Sequence, residues 1–579
     1  MEYALIATRD GLLPYMQTLM RVNVLAVDTE TTGLDPLSDR LRLIQLSGEG
    51  LPILIIDCFT FLPGGAGVLR EVMESRSVKI FQNAKFDLQF FMAWDINPSP
   101  LFDTMLAGQL LRSSGGPPRA NLAALLKHYL DEDAVKDEQA GDWGGELREA
   151  QLQYAARDVA SLARLREAMV AELYANGLEA AARIEFACVQ AVAQMEYTGV
   201  CLDAERWAGL TARTEKERGA ALAVLRGYSG APVTQMNLWG GGDAANYNYD
   251  SNQYILSLLR ANGIEADATS KRVLSAHSGH PLIKAISAYR KASKALSSFL
   301  YPIPGMIHKN TGRLHPRYGQ IGAWSGRMSC GGPNIQQIPR DAEFRSCFIA
   351  APGKKLVIAD YSQIELRVAA RISGDARMIG AYKRGEDLHT LTASLLSDIP
   401  AGAVTKSQRQ AAKAVNFGLV FGMGAEGLRQ YAQQSYGVDM TLAQAEAFRD
   451  GFFRAYPGIA DWHRRVKAAN ENEGRTLSGR KFSFGGGSGL AGRYNTPVQG
   501  TAADIAKAAL GAFFRRAKGT GARIIAAVHD EIIVEAGAGE AEAAAALLKD
   551  AMEASGRAVL ADVPCVAEVS AAANWAGDD

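Results

Sequence analysis

Two apolar runs near the end of the chain flank a short acidic turn. Arg-Ile-Ile-Ala-Ala precedes Val-His-Asp-Glu at 528–531, and Ile-Ile-Val-Glu follows. Apolar runs on both sides of a short polar insert predict two strands joined by a tight hairpin. Two carboxylates at the tip of a buried hairpin suit a bound cation, although solvated turns of this composition are common.

A second apolar strand ends in the same way. Lys-Leu-Val-Ile-Ala leads directly into Asp360, and Glu365 follows shortly after it. Aspartates at the ends of two strands from distant parts of the chain favour a metal site in one sheet, because hard divalent cations prefer oxygen ligands.

Four side chains recur at four-residue intervals between these strands: Arg409, Lys413, Phe417 and Phe421. Each such step drifts by only about 40° around a helix, so the pattern predicts one slowly winding stripe. Two cations followed by two rings suit a nucleoside triphosphate, because charge binds phosphates and a flat apolar surface covers sugar and base. An amphipathic helix with solvated cations and core phenylalanines has the same pattern.

The N-terminal third carries a second set of acids. Asp28 and Glu30 end the apolar run Val-Leu-Ala-Val, and residues two apart on a strand share one face. Such a pair repels itself unless a cation neutralises it, although alone it is a weak pattern. Asp87 follows later, and Tyr154 and Asp158 lie about one helical turn apart.

Composition is compatible with several domains. The chain has 579 residues, of which 48% are hydrophobic, and a net charge of zero, so any grip on a polyanion depends on local cation density. No apolar run reaches the roughly 18 residues of a transmembrane helix. Six cysteines without metal-ligand spacing predict reduced thiols in a cytoplasmic compartment. The first residues predict a strand rather than a targeting segment.

Together these motifs resemble family A DNA polymerases, the family of bacterial DNA polymerase I and several phage replicative enzymes. Asp360–Glu365 resembles the first polymerase motif, Arg409–Gly422 the second and His529–Glu531 the third. Further segments match in the same order: Ser325–Ser329, Pro333–Pro339 and Asn495–Asp504. The four N-terminal acids with Tyr154 are similar to the pattern of 3′-5′ proofreading exonucleases.

The resemblance implies a multidomain α/β and α+β fold, in which a ribonuclease H-like exonuclease domain precedes a right-hand polymerase. The implied domains are the exonuclease at 1–182, the thumb at 183–330, the first part of the palm at 331–384, the fingers at 385–492 and the second part of the palm at 493–579. Bacterial DNA polymerase I adds an N-terminal 5′ nuclease domain, so the expected layout is that of a phage replicative polymerase or a large fragment. An Ala-rich helix is predicted at 539–556.

The implied activity is template-directed addition of dNTPs to a primer 3′ end by two-metal phosphoryl transfer, with 3′-5′ proofreading. Two Mg²⁺ ions per active site are implied, with Mn²⁺ as a substitute. The implied partners are primer-template DNA and dNTPs, acting on a monomer, with a processivity factor or helicase left open.

Site residues carry over position by position. The implied catalytic residues are Asp360, Asp530, Glu531 and Lys413 in the polymerase, and Asp28, Glu30, Asp87, Asp158 and Tyr154 in the exonuclease. The implied metal ligands are Asp360, Tyr361 and Asp530, and separately Asp28, Glu30, Asp87 and Asp158. The implied dNTP contacts are Arg409, Lys413, Phe417, Phe421, Glu365, Gln363, Tyr361 and His389. The implied DNA contacts are Arg327, Asn334, Gln336, Asn495, Gln499 and His529.

Some features of the sequence limit which residue roles the resemblance implies. Phe421 stands where most members carry Tyr, which puts any role of that hydroxyl in doubt. Glu531 is expected to support the metal site from nearby rather than to ligate. Two other functions stay open: a dedicated exonuclease with a decayed polymerase half, and a non-catalytic DNA-binding scaffold. The complete acid sets argue against both, and primer extension with four dNTPs and Mg²⁺ separates all three.

Overall fold

The structure is a computed structural model that describes residues 2–133, 141–229, 248–270, 273–274, 277–484 and 489–578. Within these ranges, no helix is both long and apolar enough to cross a membrane.

A six-stranded mixed sheet is the centre of the N-terminal part. Its strands are β1 (Tyr3–Ile6), β2 (Val24–Thr31), β3 (Leu41–Ser47), β4 (Ile53–Asp57), β5 (Val78–Phe81) and β6 (Leu101–Asp103). They lie in the order β1-β4-β3-β2-β5-β6, so β2 is an interior strand. An interior strand covered on both faces has an almost continuous apolar run, which is the pattern found before Asp28. The strands predicted at the N-terminus and before Asp28 are confirmed.

Eight helices accompany this sheet in the described residues. They are α1 (Arg9–Leu19), α2 (Cys58–Phe61), α3 (Ala66–Met73), α4 (Ala84–Met92), α5 (Thr104–Leu111), α6 (Leu122–Leu130), α7 (Glu149–Ala160) and α8 (Leu162–Ala175). Helix α4 starts directly after β5, through Asn83 in the left-handed conformation with φ 65°. Helix α7 packs on β2, β3 and β4. The predicted α/β organisation of this part is confirmed.

Helix α9 (Glu179–Thr198) joins the two halves of the chain. Ala181, near its start, packs in the core beneath the six-stranded sheet, whereas Val192 packs in the large C-terminal core. The boundary predicted at 182/183 therefore falls inside a continuous helix that belongs to both cores.

The next helices are α10 (Ala204–Tyr228), α11 (Asn252–Ala261) and α12 (Pro281–Ala295). Leu225, Ile255 and Ile286, one from each helix, are buried in a separate small core. This mostly helical segment is where the sequence predicted the thumb. A Gly- and Asn-rich run of the sequence at 240–248 falls largely within 230–247, outside the described residues.

A four-stranded antiparallel sheet carries the strand-end aspartates. The strands after β6 are β7 (Cys201–Leu202), β8 (Arg317–Gly319), β9 (Ser329–Gly331), β10 (Phe348–Ile349), β11 (Lys354–Tyr361), β12 (Glu473–Arg475), β13 (Lys481–Ser483), β14 (Arg523–Val528), β15 (Glu531–Gly537) and β16 (Ala567–Ala572). The sheet has the order β14-β15-β11-β16. Asp360 on β11 pairs with Glu531 on one side and with Glu568 on the other.

Helices surround this sheet and rise above it. They are α13 (Ala342–Arg345), α14 (Ile364–Ser373), α15 (Ala376–Lys383), α16 (Leu388–Ser397), α17 (Lys406–Val420), α18 (Ala425–Tyr436), α19 (Leu442–Ala455), α20 (Pro457–Ala469), α21 (Leu490–Arg516) and α22 (Ala541–Leu560). Short 3-10 or π segments are Arg112–Ser114, Leu296–Leu300, Ile303–Met306, Ile335–Gln337, Ala401–Ala403 and Ala538–Glu540. Thr405 and Gln408 form a capping box that starts α17. The predicted Ala-rich helix is confirmed as α22.

Two candidate active sites

The acidic hairpin has the predicted form. Strand β14 ends at Val528 and pairs it with Glu531, so His529 and Asp530 form a two-residue tip. His529 has a φ of 61°, a left-handed conformation that such tight turns require of one central residue. The turn brings Asp530 to the end of the sheet where β11 delivers Asp360.

Both aspartates line one cavity of about 600 Å³. The predicted site residues on its wall are Arg327, Asp360, Tyr361, Gln363, Glu365, His389, Arg409, Lys413, Phe417, Gln499, His529 and Asp530. The fold thus joins strand ends, helix α17 and part of α21 around one space. The predicted meeting of the three motifs is confirmed.

Five other wall residues have no role predicted from the sequence, namely Ser362, Ile364, Tyr431, Tyr436 and Glu568, and the wall also contains the cation Arg340. Glu568 has a signal only in the sheet register, because it lies opposite Asp360 on a strand that has no recognisable motif. Tyr431 and Tyr436 lie on α18, beyond the helix that carries the motif.

The electrostatics of Asp360 fit a bound cation. Burial raises the pKa of Asp360 to about 7, and the nearby charges of Asp530 and Glu531 raise it further. A carboxylate that is costly to ionise beside other acids becomes stable when a divalent ion neutralises it. The two strand-end aspartates are therefore suitable metal ligands.

Glu531 is held away from this role by two other side chains. Arg345 donates to both of its carboxylate oxygens, at 3.2 and 3.0 Å, and Trp575 Nε1 also donates to it. The Arg345 guanidinium in turn lies over the Trp575 ring, 4.4 Å from its centroid. Glu531 thus acts on Asp360 through its charge, as the sequence analysis expected.

Helix α17 presents its cations to the cavity. Arg409 donates two hydrogen bonds to the carboxylate of Asp387, at 3.0 and 2.9 Å, and this pairing holds the pKa of Asp387 below its usual range. Asp387 caps helix α16, which carries His389. The Nζ of Lys413 makes no carboxylate ion pair within the described part of the chain, so its charge is available to a ligand.

His389 is neutral at physiological pH. Burial, reinforced by Arg409 and Lys413, lowers its pKa to about 4. Asn416 Nδ2 donates to His389 Nδ1 at 2.9 Å, which leaves the ring proton on Nε2. The imidazole also packs against Phe417, with 5.8 Å between ring centroids, and so fixes one side of that ring.

Two predicted nucleotide contacts are placed differently from the others. The side chain of Tyr361 points into the core, where its hydroxyl donates to Met552 O at 2.8 Å, so only its backbone faces the cavity. Helix α17 ends at Val420, and Phe421 is the C-cap residue, absent from the cavity wall. The stripe of four residues is therefore three residues long, because the helix ends before its last member.

The predicted DNA contacts divide in two. Arg327, Gln499 and His529 line the cavity, whereas Asn334, Gln336 and Asn495 lie outside its wall. Gln336 Nε2 donates to Ala527 O at 3.3 Å, beside the hairpin. The amide oxygens of Asn334 and Asn495 are buried without a hydrogen-bond partner among the described residues.

A second acidic site lies at the end of β2. Carboxylate oxygens of Asp28, Glu30 and Asp158 lie within 4.8 Å of one another, close enough to share a metal ion. Strand alternation places the first two on one face, and α7 crosses that face to add Asp158. The Tyr154 hydroxyl hydrogen-bonds Asp158 one helical turn away.

The pKa values in this cluster indicate unrelieved repulsion. Burial, then the charges of Asp158 and Asp87, raises the pKa of Glu30 to about 8. The pKa of Asp28 is likewise raised well above its usual range, mainly by burial. Burial raises the pKa of Asp158 to about 6, although the bond from Tyr154 lowers it. Such a cluster fits a cation that neutralises it.

Asp87 stands slightly apart from the other three acids. Its Oδ1 accepts a hydrogen bond of 2.6 Å from Thr29 Oγ1, and it is not part of the close cluster. Burial raises the pKa of Asp87 to about 7. The fold therefore brings three of the predicted ligands into one cluster and holds the fourth beside it through Thr29.

Comparison with known proteins gives the same division. The model for DNA polymerase family A matches residues 254–577, and the model for a 3′-5′ exonuclease matches residues 3–174. These regions contain the cavity with Asp360 and Asp530 and the cluster with Asp28, respectively.

Curated relatives match over the whole chain. DNA polymerase I of Aquifex aeolicus is 33% identical over 604 aligned positions, which cover 100% of both chains. DNA polymerase I of Pseudomonas aeruginosa is 32% identical over 620 positions, which cover 99% of this chain and 66% of the relative. The thermostable DNA polymerase I of Thermus aquaticus is 34% identical over 492 positions, or 80% of this chain and 56% of the relative. These relatives are bacterial, and the expected phage-like layout stays a prediction.

The overall fold also matches a solved structure. The polymerase domain of Pol1 from M. smegmatis, in complex with DNA primer-template and dNTP, aligns with a TM-score of 0.79 at 23% sequence identity. The alignment covers 99% of each chain. At this identity the match establishes the arrangement of the backbone.

Proposed function

We propose, from the premise that the chain belongs to DNA polymerase family A, that its two acidic sites act in turn on the same primer 3′ end. The protein is a DNA-directed DNA polymerase with a 3′-5′ exonuclease domain. The observation that carries the proposal is the cavity in which Asp360 and Asp530 face Arg409 and Lys413.

In the polymerase cavity each side chain has a distinct task. Arg409 exchanges Asp387 for the triphosphate, and Lys413 donates to the phosphates that leave as pyrophosphate. Neutral His389 offers its Nε2–H as a further donor. Phe417, backed by the imidazole, packs on the sugar. The primer 3′-hydroxyl then attacks the α-phosphate, and positioning supplies much of the rate enhancement.

Family A polymerases are metal-dependent, and we propose Mg²⁺ as the ion. Asp360 and Asp530 would hold it in the polymerase cavity, where the backbone of Tyr361 lies beside them. A bound divalent ion supplies charge neutralisation at the transferring phosphate and lowers the pKa of the attacking oxygen.

The exonuclease cluster removes the nucleotide at the primer 3′ end by hydrolysis. Asp28, Glu30 and Asp158 would hold a metal ion, Asp87 adds charge from beside them, and Tyr154 is placed next to Asp158 to orient the attacking water. A mispaired primer end unstacks at lower cost than a paired end and so reaches this site more often. Proofreading then results from partition of the primer end between two sites.

We propose primer-template DNA and dNTPs as the substrates. We also propose that the protein acts as a monomer. Arg327, Gln499 and His529 hold the terminal base pair from the cavity wall, and Asn334, Gln336 and Asn495 bind the strands farther back. We propose a cytoplasmic location, which six free cysteines support. The domain limits given by the sequence analysis are also proposed, with α9 shared between the first two.

A labelled primer on a longer template tests the assignment. With four dNTPs and Mg²⁺ the primer is expected to lengthen, and without dNTPs it is expected to shorten from its 3′ end. A protein that only shortens primers is a dedicated exonuclease. A protein that does neither, while binding DNA, is a scaffold, and either result rejects the proposal.

A further inference from the structure

Helix α18 runs back alongside α17. A side chain added at Gly418 would lie 3.2 Å from Leu428 and 3.7 Å from the ring of Tyr431. Lys413, earlier on α17, instead faces Tyr436 at the far end of α18. Later residues of one helix meet earlier residues of the other, so the two helices are antiparallel, and the end of α18 lies beside the cations of α17.

The end of α18 carries two tyrosines on the cavity wall. The Lys413 Nζ lies 6.0 Å from the centroid of the Tyr436 ring, near the outer limit of a cation–π contact. Tyr431 and Tyr436 are half-buried, and both line the same cavity as Lys413. Their rings meet edge to face, with centroids 5.5 Å apart. The phenol of Tyr436 is thus on the phosphate side of the stripe rather than beside Phe417.

The two hydroxyl oxygens lie 3.4 Å apart. Burial, with the bond to Tyr431, raises the pKa of Tyr436, so its hydroxyl keeps its proton at neutral pH and remains a donor. One of the two protons is used between the hydroxyls, and the other has no acceptor among the described residues. A phosphate oxygen near Lys413 is an acceptor of suitable charge.

We propose that Tyr436 is a further nucleotide-binding residue. Its hydroxyl donates a hydrogen bond to the β,γ-phosphates of the bound dNTP and to the pyrophosphate that leaves. Tyr431 is a positioning residue, since its hydroxyl orients that of Tyr436. This inference rests on the proposed polymerase function of the cavity. Arg409 and Lys413 from α17 and Tyr436 from α18 then hold the phosphates from adjacent helices, and His389 adds its Nε2–H.

A purely structural role for Tyr436 makes a different prediction. Packing against Tyr431 and the Lys413 side chain uses the ring, which Phe retains. Removal of the oxygen alone therefore separates the two roles. Loss of a hydrogen bond to a charged group weakens binding by about five-fold or more.

The test compares Tyr436→Phe with wild type in two assays of phosphate binding. The first measures dNTP affinity for the enzyme on a dideoxy-terminated primer-template, where no bond can form. The second measures the KM for inorganic pyrophosphate in pyrophosphorolysis, in which the primer-terminal nucleotide is released as dNTP. Both constants are expected to rise by about five-fold or more, because each ligand loses a hydrogen bond to its phosphates. Pyrophosphate has neither sugar nor base, so the second assay reports the phosphate contact alone. Tyr431→Phe is expected to have a smaller effect in the same direction.

Tyr174→Phe is the matched control, because this tyrosine is 72% exposed on α8 and is absent from the wall of the polymerase cavity. Degradation of single-stranded DNA reports folding in every variant and should not change. Constants for Tyr436→Phe within about two-fold of wild type overturn the inference. An effect on dNTP but not on pyrophosphate also overturns it, because the contact is then with sugar or base. Failure of the wild type itself to extend primers rejects the polymerase function instead.

Discussion

Arg327 Nη2 lies 2.5 Å from Glu365 Oε1, so the predicted primer-end contact and the predicted sugar selector form one ion pair on the cavity wall. Burial raises the pKa of Glu365, and the charge of Arg327 partly offsets this rise. Removing either partner leaves the other charge unpaired in a half-buried position, which is costly. Sugar selection and grip on the primer end are therefore expected to change together.

Glu365→Ala tests this coupling. We expect the variant to admit ribonucleotides much better, because the space beside the sugar C2′ is opened, and to lose some efficiency with dNTPs, because Arg327 loses its partner. The measurement is kcat/KM for dGTP and rGTP in single-turnover reactions. Glu365→Gln keeps the volume but not the charge, so it should retain most discrimination. Unchanged discrimination in Glu365→Ala contradicts the assignment.

Asp360→Asn and Asp530→Asn are each expected to stop primer extension, because each removes a charge that neutralises the transferring phosphate. Degradation of single-stranded DNA should continue at the wild-type rate, since that reaction uses the separate cluster of Asp28, Glu30 and Asp158. Asp562→Asn is the matched control, because Asp562 is half exposed and pairs with Lys383, away from the cavity wall. Extension by either active-site variant within a few fold of wild type would show that the metal ligands are wrongly assigned.

The paired substitution Asp28→Ala with Glu30→Ala is expected to abolish degradation of single-stranded DNA and to leave primer extension near normal. The two carboxylates form the close cluster with Asp158, whereas Asp360 and Asp530 line a different cavity. Extension and degradation are measured on the same protein preparation. Simultaneous loss of both activities argues for a single shared site.

The acids of the exonuclease cluster should also make the metal-free protein sensitive to pH. The pKa of Glu30 is about 8 in the folded chain, well above that of an exposed glutamate near 4.3. The folded state thus binds more protons than the unfolded state between these values, and stability is lost as pH rises through this window. In EDTA, Glu30→Gln is expected to raise the Tm at pH 8 and to change it little at pH 4.

Thermal unfolding in EDTA and in Mg²⁺ at both pH values checks this prediction. Mg²⁺ should stabilise the wild type more than Glu30→Gln, because the ion binds the ionised carboxylate. Glu49→Gln is a control at an exposed position in the turn between β3 and β4 of the same sheet. A Tm for Glu30→Gln in EDTA at pH 8 that does not exceed that of wild type contradicts the raised pKa.

Much of the polymerase site was predictable because strand and helix periodicity place motif residues reliably. The hairpin at His529 and the strand before Asp360 followed from apolar runs, and helix α17 followed from the four-residue spacing of its side chains. The end of α17 has a local signal, Gly422 in the left-handed conformation just after the C-cap residue, but the four-residue spacing continued past the helix to Phe421.

Contacts that depend on tertiary packing were not predictable. Asp387 binds Arg409 from another helix, and Glu568 reaches the cavity only through pairing of β16 with β11. Glu531 is contacted by Arg345, which lies 186 residues earlier in the chain, and by Trp575, which lies 44 residues later. Spacing along the chain carries no signal for such contacts.

Phe417→Tyr is expected to increase the use of chain-terminating dideoxynucleotides. Phe417 lines the cavity and is fixed by His389, but its ring offers no hydrogen bond, so the substrate's own 3′-hydroxyl must make the polar contact that orders the triphosphate. A tyrosine hydroxyl near the vacant position restores one bond worth about 0.5–1.5 kcal/mol, or several fold in efficiency. The measurement is the ratio of kcat/KM for dTTP and ddTTP in the Asp28→Ala, Glu30→Ala background, where proofreading cannot remove the terminator. Phe421→Tyr is the matched control, because Phe421 lies off the cavity wall and should leave the ratio unchanged. A ratio that does not move in Phe417→Tyr means that this ring does not face the sugar, and the orientation of α17 toward the nucleotide is then wrong.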